Sequence, residues 1–179
     1  MNAVNEGLCR EPKVPAQLIC SSNVQENISM FITRKGKEFI DSVPLFYLTL
    51  INVVRLPVEV VLYWLSIQKV VPELMTFEGR NYDIFAGISA IAIVYLIHKN
   101  RTQYKNTILV WNIISLGLLL NIVVNAFLSS PSPLQKFAFE QPNIAILYFP
   151  FSWLPTFIVP IVLFGHLASI RKITANNLL

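Results

Sequence analysis

The chain has 179 residues, of which 54% are hydrophobic, 12% aromatic and 13% charged, and its mean hydropathy is +0.56. A typical soluble domain is about a quarter charged. The composition therefore excludes a disordered chain, a coiled coil and a collagen-like repeat, and it argues against an ordinary water-soluble enzyme domain. The net charge of +4 is scattered, with no basic run interleaved with aromatic residues, so we expect no nucleic-acid partner.

Residues 1–33 form a polar lead that differs from the rest of the chain. It contains Pro12 and Pro15 and no long apolar run, so we predict a disordered segment without a cleavable signal peptide. Cys9 and Cys20 match no zinc or redox spacing, and we expect two unpaired thiols.

Four apolar segments follow, and each is long enough, or nearly so, to cross a bilayer as a helix. A strand interpretation fails because the segments lack polar alternation and an open sheet would leave its backbone groups unpaired in lipid. We predict an all-α transmembrane bundle over residues 34–172, followed by a short tail at 173–179. The predicted spans are 42–67, 83–98, 107–128 and 144–169.

The loops between these spans differ in charge and predict the orientation of the bundle. Arg34, Lys35, Lys37, Lys99, Arg101, Lys105, Arg171 and Lys172 fall on one side, and Lys69, Arg80 and Lys136 fall on the other. Basic residues concentrate in cytoplasmic loops. We therefore expect both termini in the cytoplasm and the bundle in the plasma (inner) membrane of the cell.

Charged and amide side chains inside the predicted spans are candidates for a functional site. Arg55 and Glu59 lie four residues apart, on one face of a helix, and are predicted to pair. Asn121 and Asn125 share a face of the third span, and Asn121 is predicted to hydrogen-bond the Arg55–Glu59 pair. The group is either a site that lines a substrate path or a structural pin between helices.

Two further features carry open alternatives. Glu73, Glu78, Arg80 and Asp83 crowd one short loop, which is either a polar mouth that binds a small ligand or cation, or a salt-bridged cap. The last span contains Pro150, Pro155 and Pro160, which predict a kinked or broken helix that is either part of a transport site or a plain structural kink. His166 is predicted to be an anchor at the membrane boundary.

Catalytic signatures are absent from the sequence. It contains no HExxH motif, no GxSxG motif and no phosphate-binding glycine loop. We therefore predict no catalytic residue, no metal and no cofactor.

Several segments from about residue 33 onward resemble a family of small uncharacterised bacterial multi-pass integral membrane proteins. The segments are TRKGKEFIDS, RLPVEVVLYWL, VPELMTFEGRNYDI, WNIISLGLLLNIVVNA and PSPLQKFAFEQPNIAILYFPFSWLPTFIVPIVLFGHL. The resemblance covers about 33–172 and implies membrane residence without an established activity. Members resembling the chain carry further hydrophobic segments before Arg34, so we expect that the N-terminal part is truncated or replaced.

The sequence thus favours a non-enzymatic structural or interaction component of the membrane, with the bilayer and other membrane subunits or a second copy as partners. The alternative is a small transporter or channel-like subunit that uses an intramembrane Arg55–Glu59 site. An intramembrane enzyme acting on a lipid ranks last.

Overall fold

The structure is a computed structural model that describes Phe31, residues 33–133 and residues 135–175. Within this part of the chain all regular structure is helical, which confirms the predicted all-α class. The polar lead at residues 1–30, with Cys9 and Cys20, lies outside the described residues, as does the end of the tail at 176–179.

Four helices are long and apolar enough to cross a bilayer, and we call them spans 1–4. Span 1 is Leu45–Ile67, span 2 is Asp83–Asn100, span 3 is Lys105–Ser129 and span 4 is Leu154–Thr174. Only 28% to 39% of the most apolar window of each span is buried within the protein. The remaining side chains form an apolar surface on every span, as expected for helices that face lipid tails.

The beginning of span 4 differs from the prediction. Residues 144–153, which were predicted to be helical, form a 3₁₀ turn at Ala145–Leu147 followed by further turns. Span 4 begins at Leu154 with a π-helical segment, Leu154–Ile158, and becomes an α-helix at Val159. Pro150 and Pro155 lack a backbone N–H and cannot sustain regular helical hydrogen bonding, so the apolar character of this segment does not make it a helix. At its other end the span continues to Thr174, beyond the predicted boundary at 169.

Span 1 is also locally irregular. Its α-helical parts, Leu45–Leu50 and Arg55–Ile67, are joined by a 3₁₀ stretch at Ile51–Val54. Pro57 follows directly and cannot donate to the carbonyl of Val53. Because a 3₁₀ helix has about three residues per turn instead of 3.6, this stretch changes which face of span 1 carries Arg55.

The interior of the bundle has three layers. One apolar cluster lies near the start of span 1 and the end of span 2 and consists of Leu45, Ile93, Ile97, Ile108 and Ile173. A second lies at the opposite end and includes Leu62, Leu65, Leu119, Ile122 and Val162. On spans 1 and 4 the buried polar residues fall between these two clusters in the sequence, as do Asn112 and Ser115 of span 3, whereas Asn125 and Ser129 lie beyond Ile122. We call the two ends of the bundle the basic end, which carries Lys99–Lys105, and the loop end.

The loop end is closed by the two connections that meet there, residues 68–82 and 130–153. Val71 and Thr76 of the first connection are fully buried. The second connection bonds to the first through the Ile144 N–H, which donates to the Val70 carbonyl at 3.2 Å. Gln141 donates from Nε2 to the Ser66 carbonyl at 3.3 Å. These connections are therefore part of the packed interior.

An amphipathic helix, Arg34–Ser42, precedes span 1 at the basic end and buries Gly36 and Ile40. Lys172 of span 4 fastens it, because its fully buried ammonium donates to the carbonyls of Asp41 at 3.0 Å and Val43 at 2.7 Å. These carbonyls lie at the C-terminal end of the helix, where a cation is favourable.

A substitution at Gly79 tests whether the first connection, residues 68–82, is tightly packed. A Cβ atom at this position would lie 2.5 Å from the Glu73 carbonyl oxygen and 2.5 Å from the Leu74 Cα atom, both of which belong to the backbone. We expect Gly79→Ala to lower the free energy of unfolding by about 1–3 kcal/mol, the usual cost of overpacking. Gly117→Ala is the matched control because a Cβ there meets nothing within 4 Å. Unfolding by SDS in mixed micelles measures both, and equal midpoints for the two variants would contradict the described packing.

Candidate functional site

Arg55 forms the centre of a buried polar network that joins all four spans. Its Nη1 donates to Asp83 Oδ1 at the start of span 2 at 2.8 Å and to the Ser115 carbonyl of span 3 at 3.3 Å. Its Nη2 lies 2.8 Å from Nε2 of His166 on span 4. The Arg55 and Asp83 side chains are 3% and 7% exposed. A charge this deep in a bundle is costly unless it is paired and hydrogen-bonded, and here a single guanidinium meets that requirement by drawing on every span.

The hydrogen bonds fix the protonation of His166. An arginine nitrogen can only donate, so His166 Nε2 must accept and carries no proton. The ring proton is therefore on Nδ1, which donates to Asn112 Oδ1 at 2.9 Å. Asn112 in turn donates from Nδ2 to the Ile108 carbonyl at 2.9 Å. A doubly protonated ring would place two donors against each other, so this geometry requires neutral His166.

A second branch links Glu59 to the connection between spans 1 and 2. The Asn81 amide donates to Glu59 Oε1 and to the Met75 carbonyl, the latter at 3.0 Å. Its Oδ1 accepts from the backbone N–H of Asp83 at 3.0 Å. Asn81 is fully buried and Glu59 is 1% exposed. The connection therefore reaches into the interior and positions both acids of the network.

Two polar atoms of the network have no hydrogen-bond partner among the described residues. They are Glu59 Oε2, an acceptor when the carboxyl is ionised, and the Arg55 Nε–H group, a donor. Both are buried, and their residues are one helical turn apart on span 1.

The predicted contacts of the intramembrane residues need correction. Arg55 does not pair with Glu59: its ion-pair partner is Asp83, and Glu59 accepts from Asn81 instead. A spacing of four residues does place two side chains on one face of a helix. Asp83, however, lies on another helix and accepts a short, buried hydrogen bond from the guanidinium. The prediction did not consider this partner.

The two amides Asn121 and Asn125 contact each other, but they do not bond to Arg55 or Glu59. Asn125 Nδ2 donates to Asn121 Oδ1 at 3.3 Å, and Asn121 Nδ2 donates to the Arg80 carbonyl at 3.0 Å. They fasten span 3 to the first connection at the loop end.

The predicted loop cluster is divided by the fold. Asp83 is buried in the network, whereas Glu73, Glu78 and Arg80 are exposed. No ion pair joins two of the four among the described residues. The Arg80 guanidinium lies over the Phe137 ring, 5.9 Å from its centroid, a cation–π contact with the second connection. The fold therefore places Asp83 in the interior and the other three at the surface, without the salt bridges that a cap of the four would need.

Sequence reasoning missed the roles of Asn81, Asn112 and His166. His166 was predicted to be a boundary anchor, but it is fully buried and packs beside the Trp111 ring, with centroids 5.8 Å apart. The number of donors on Arg55 could have pointed to His166. A buried arginine has five N–H groups, and the predicted Arg55–Glu59 pair leaves most of them without an acceptor.

Within residues 33–133 and 135–175, no group of three His, Cys, Asp or Glu side chains is arranged to hold a metal ion.

Comparison with known sequences places the chain in a family. The profile of a family described as a domain of unknown function, DUF8737, matches residues 27–174. The chain belongs to this family. No curated protein and no solved structure gave a significant match.

The network predicts strong coupling between Arg55 and Asp83. We expect Arg55→Gln and Asp83→Asn each to lower the free energy of unfolding by about 3–5 kcal/mol, because each leaves a buried charge without its partner. The double variant should be less destabilised than the sum of the two.

The matched control for this cycle is Arg34→Gln with Glu38→Gln. These residues also form an ion pair, at 3.6 Å, but their side chains are 94% and 71% exposed. The control cycle should show almost no coupling. SDS-induced unfolding of all six variants measures both cycles, and additive effects at Arg55 and Asp83 would contradict the network.

Proposed function

We propose that this protein is a non-enzymatic structural or interaction component of the bacterial plasma membrane, crossing the bilayer four times with both termini in the cytoplasm. The proposal is carried by the hydrogen bonds that join the polar groups inside the predicted spans. Arg55, Asp83, Asn112 and His166 bond to one another across four spans and are buried. Such bonds hold transmembrane helices in a defined arrangement.

The surface of the bundle supports the membrane part of this proposal. Large apolar side chains on all four spans are exposed, among them Ile88 at 53%, Ile114 at 58% and Phe157 at 60%. Aromatic residues at or near the loop end, Trp64, Tyr82, Tyr148 and Trp153, are also exposed, as in the aromatic belts of membrane proteins. The orientation rests on the eight basic residues of one side against three of the other.

A topology test checks the orientation. In a Cys9→Ser/Cys20→Ser background, a single cysteine replaces either Gln103 or Gln135, which lie in connections on opposite sides of the predicted membrane. A thiol reagent that does not cross the membrane should label the cysteine at 135 in intact cells and the one at 103 only after lysis. Labelling of both in intact cells would contradict four crossings.

A transporter remains the second candidate, and one observation favours it. Glu59 Oε2 and Arg55 Nε are buried and have no hydrogen-bond partner among the described residues. A small polar solute could bond to both atoms. The π-helical segment of span 4 also favours the transporter, since such segments are frequent at functional sites.

Two measurements on the full chain separate the candidates. The Arg55→Gln/Asp83→Asn variant should fold and should restore whatever defect follows deletion of the gene, because a structural pair can be replaced by a neutral one. Proteoliposomes with the wild-type protein should show no flux of protons, sodium or potassium above protein-free vesicles. Flux that a normally folded Glu59→Gln variant loses would favour the transporter and overturn the structural proposal.

A further inference from the structure

A cavity of about 470 Å³ opens at the basic end, away from the Arg55 network. It is lined by Phe46 near the start of span 1 and by residues 97–102 around the end of span 2. Ile97, 7% exposed, belongs to the apolar cluster below it, and Phe46 packs against that cluster. Lys99 and Arg101 are exposed. The cavity thus joins an apolar inner part to a cationic rim.

The apolar part and the cationic rim of the cavity lie where the upper acyl chain and the phosphate of a phospholipid would lie. Ile97 lies three residues inside the end of span 2 and Phe46 packs against the apolar cluster that contains it, whereas Lys99 is one residue from the end of span 2 and Arg101 is just beyond it. The ends of membrane spans lie at the level of the lipid headgroups. A bound lipid would therefore meet Phe46 and Ile97 with its glycerol and upper acyl chain, and would meet Lys99 and Arg101 with its phosphate.

The charge around the cavity favours an anionic lipid. The segment from Lys99 to Lys105 contains three cations, these two lysines and Arg101, and no acid. The basic last turn of span 2 complements the helix dipole, but Arg101 follows that turn.

The rim is also held in shape. Asn100 Oδ1 accepts from the Gln103 backbone N–H at 3.1 Å, and the Asn100 carbonyl accepts from the Tyr104 N–H at 3.2 Å. These bonds close a tight turn between spans 2 and 3, so Arg101 is carried on an ordered turn.

We propose that this cavity binds an anionic phospholipid, with Lys99 and Arg101 contacting its phosphate and Phe46 and Ile97 contacting its apolar part. Basic pockets between transmembrane helices bind anionic headgroups in this manner. The proposal rests on membrane residence and is independent of whether the bundle is a structural component or a transporter.

Native mass spectrometry of the full chain, in micelles supplied with equal amounts of phosphatidylglycerol and phosphatidylcholine of the same acyl chains, tests the proposal. The wild-type protein should retain phosphatidylglycerol in preference. Lys99→Ala/Arg101→Ala should bind it about twenty-five-fold more weakly, since each basic residue near an anionic surface contributes about fivefold. Both side chains are exposed, and an unchanged unfolding midpoint in lipid-free micelles confirms that the variant folds.

The matched control removes two cations from the loop end. Lys69→Asn/Lys136→Ala changes the net charge equally, and asparagine tolerates the positive φ of 61° at position 69. This variant should retain phosphatidylglycerol as the wild type does. Equal retention by the Lys99/Arg101 variant, or an equal loss in the control, would overturn the proposal.

Competition distinguishes a lipid from a free anion. Millimolar inorganic phosphate should displace no more phosphatidylglycerol than sodium chloride of the same ionic strength. Greater displacement by phosphate would indicate a site for the soluble ion and would overturn the assignment to a lipid.

Discussion

The arrangement of the bundle depends on the need to satisfy one guanidinium in an apolar interior. Arg55 sits between two apolar clusters, and its bonds to Asp83, Ser115 and His166 come from three other helices. Apolar packing alone discriminates weakly among helix arrangements in lipid, because lipid tails are as apolar as leucine side chains. A donor with fixed geometry is more selective, since only one relative placement of the spans brings the three acceptors to it.

The same constraint explains why a connection takes part in the core. Asn81 lies outside the spans, yet it orients both acids of the network, Glu59 through its amide nitrogen and Asp83 through its oxygen. The connection that carries it is bonded in turn to the second connection, because Gln141 donates to the Val71 carbonyl and the Ile144 N–H donates to the Val70 carbonyl. The conformation at the loop end is thereby coupled to the middle of the bundle.

The two ends of the protein use charge in different ways. At the loop end Asn81 and Gln141 bond to groups of span 1 and the connections, whereas Glu73, Glu78 and Arg80 are exposed. At the basic end Lys172 is used to fasten the amphipathic helix, whereas Lys99 and Arg101 remain exposed around a cavity. A structural role for the interior and a lipid-binding role for the basic end are compatible, because they use different residues.

The sequence by itself determined the helical class and the number of spans, because both follow from the length and apolar character of segments such as 107–128, and these are local properties. It also placed Arg55 and Glu59 within one apolar span and Asn121 and Asn125 on one helical face. Only the tertiary structure decided the partners, since Asp83, Asn81 and His166 reach the network through contacts between distant parts of the chain that helical periodicity does not encode. The start of span 4 shows the same limit, because hydropathy measures the preference for lipid, whereas the prolines decide where a regular helix can begin.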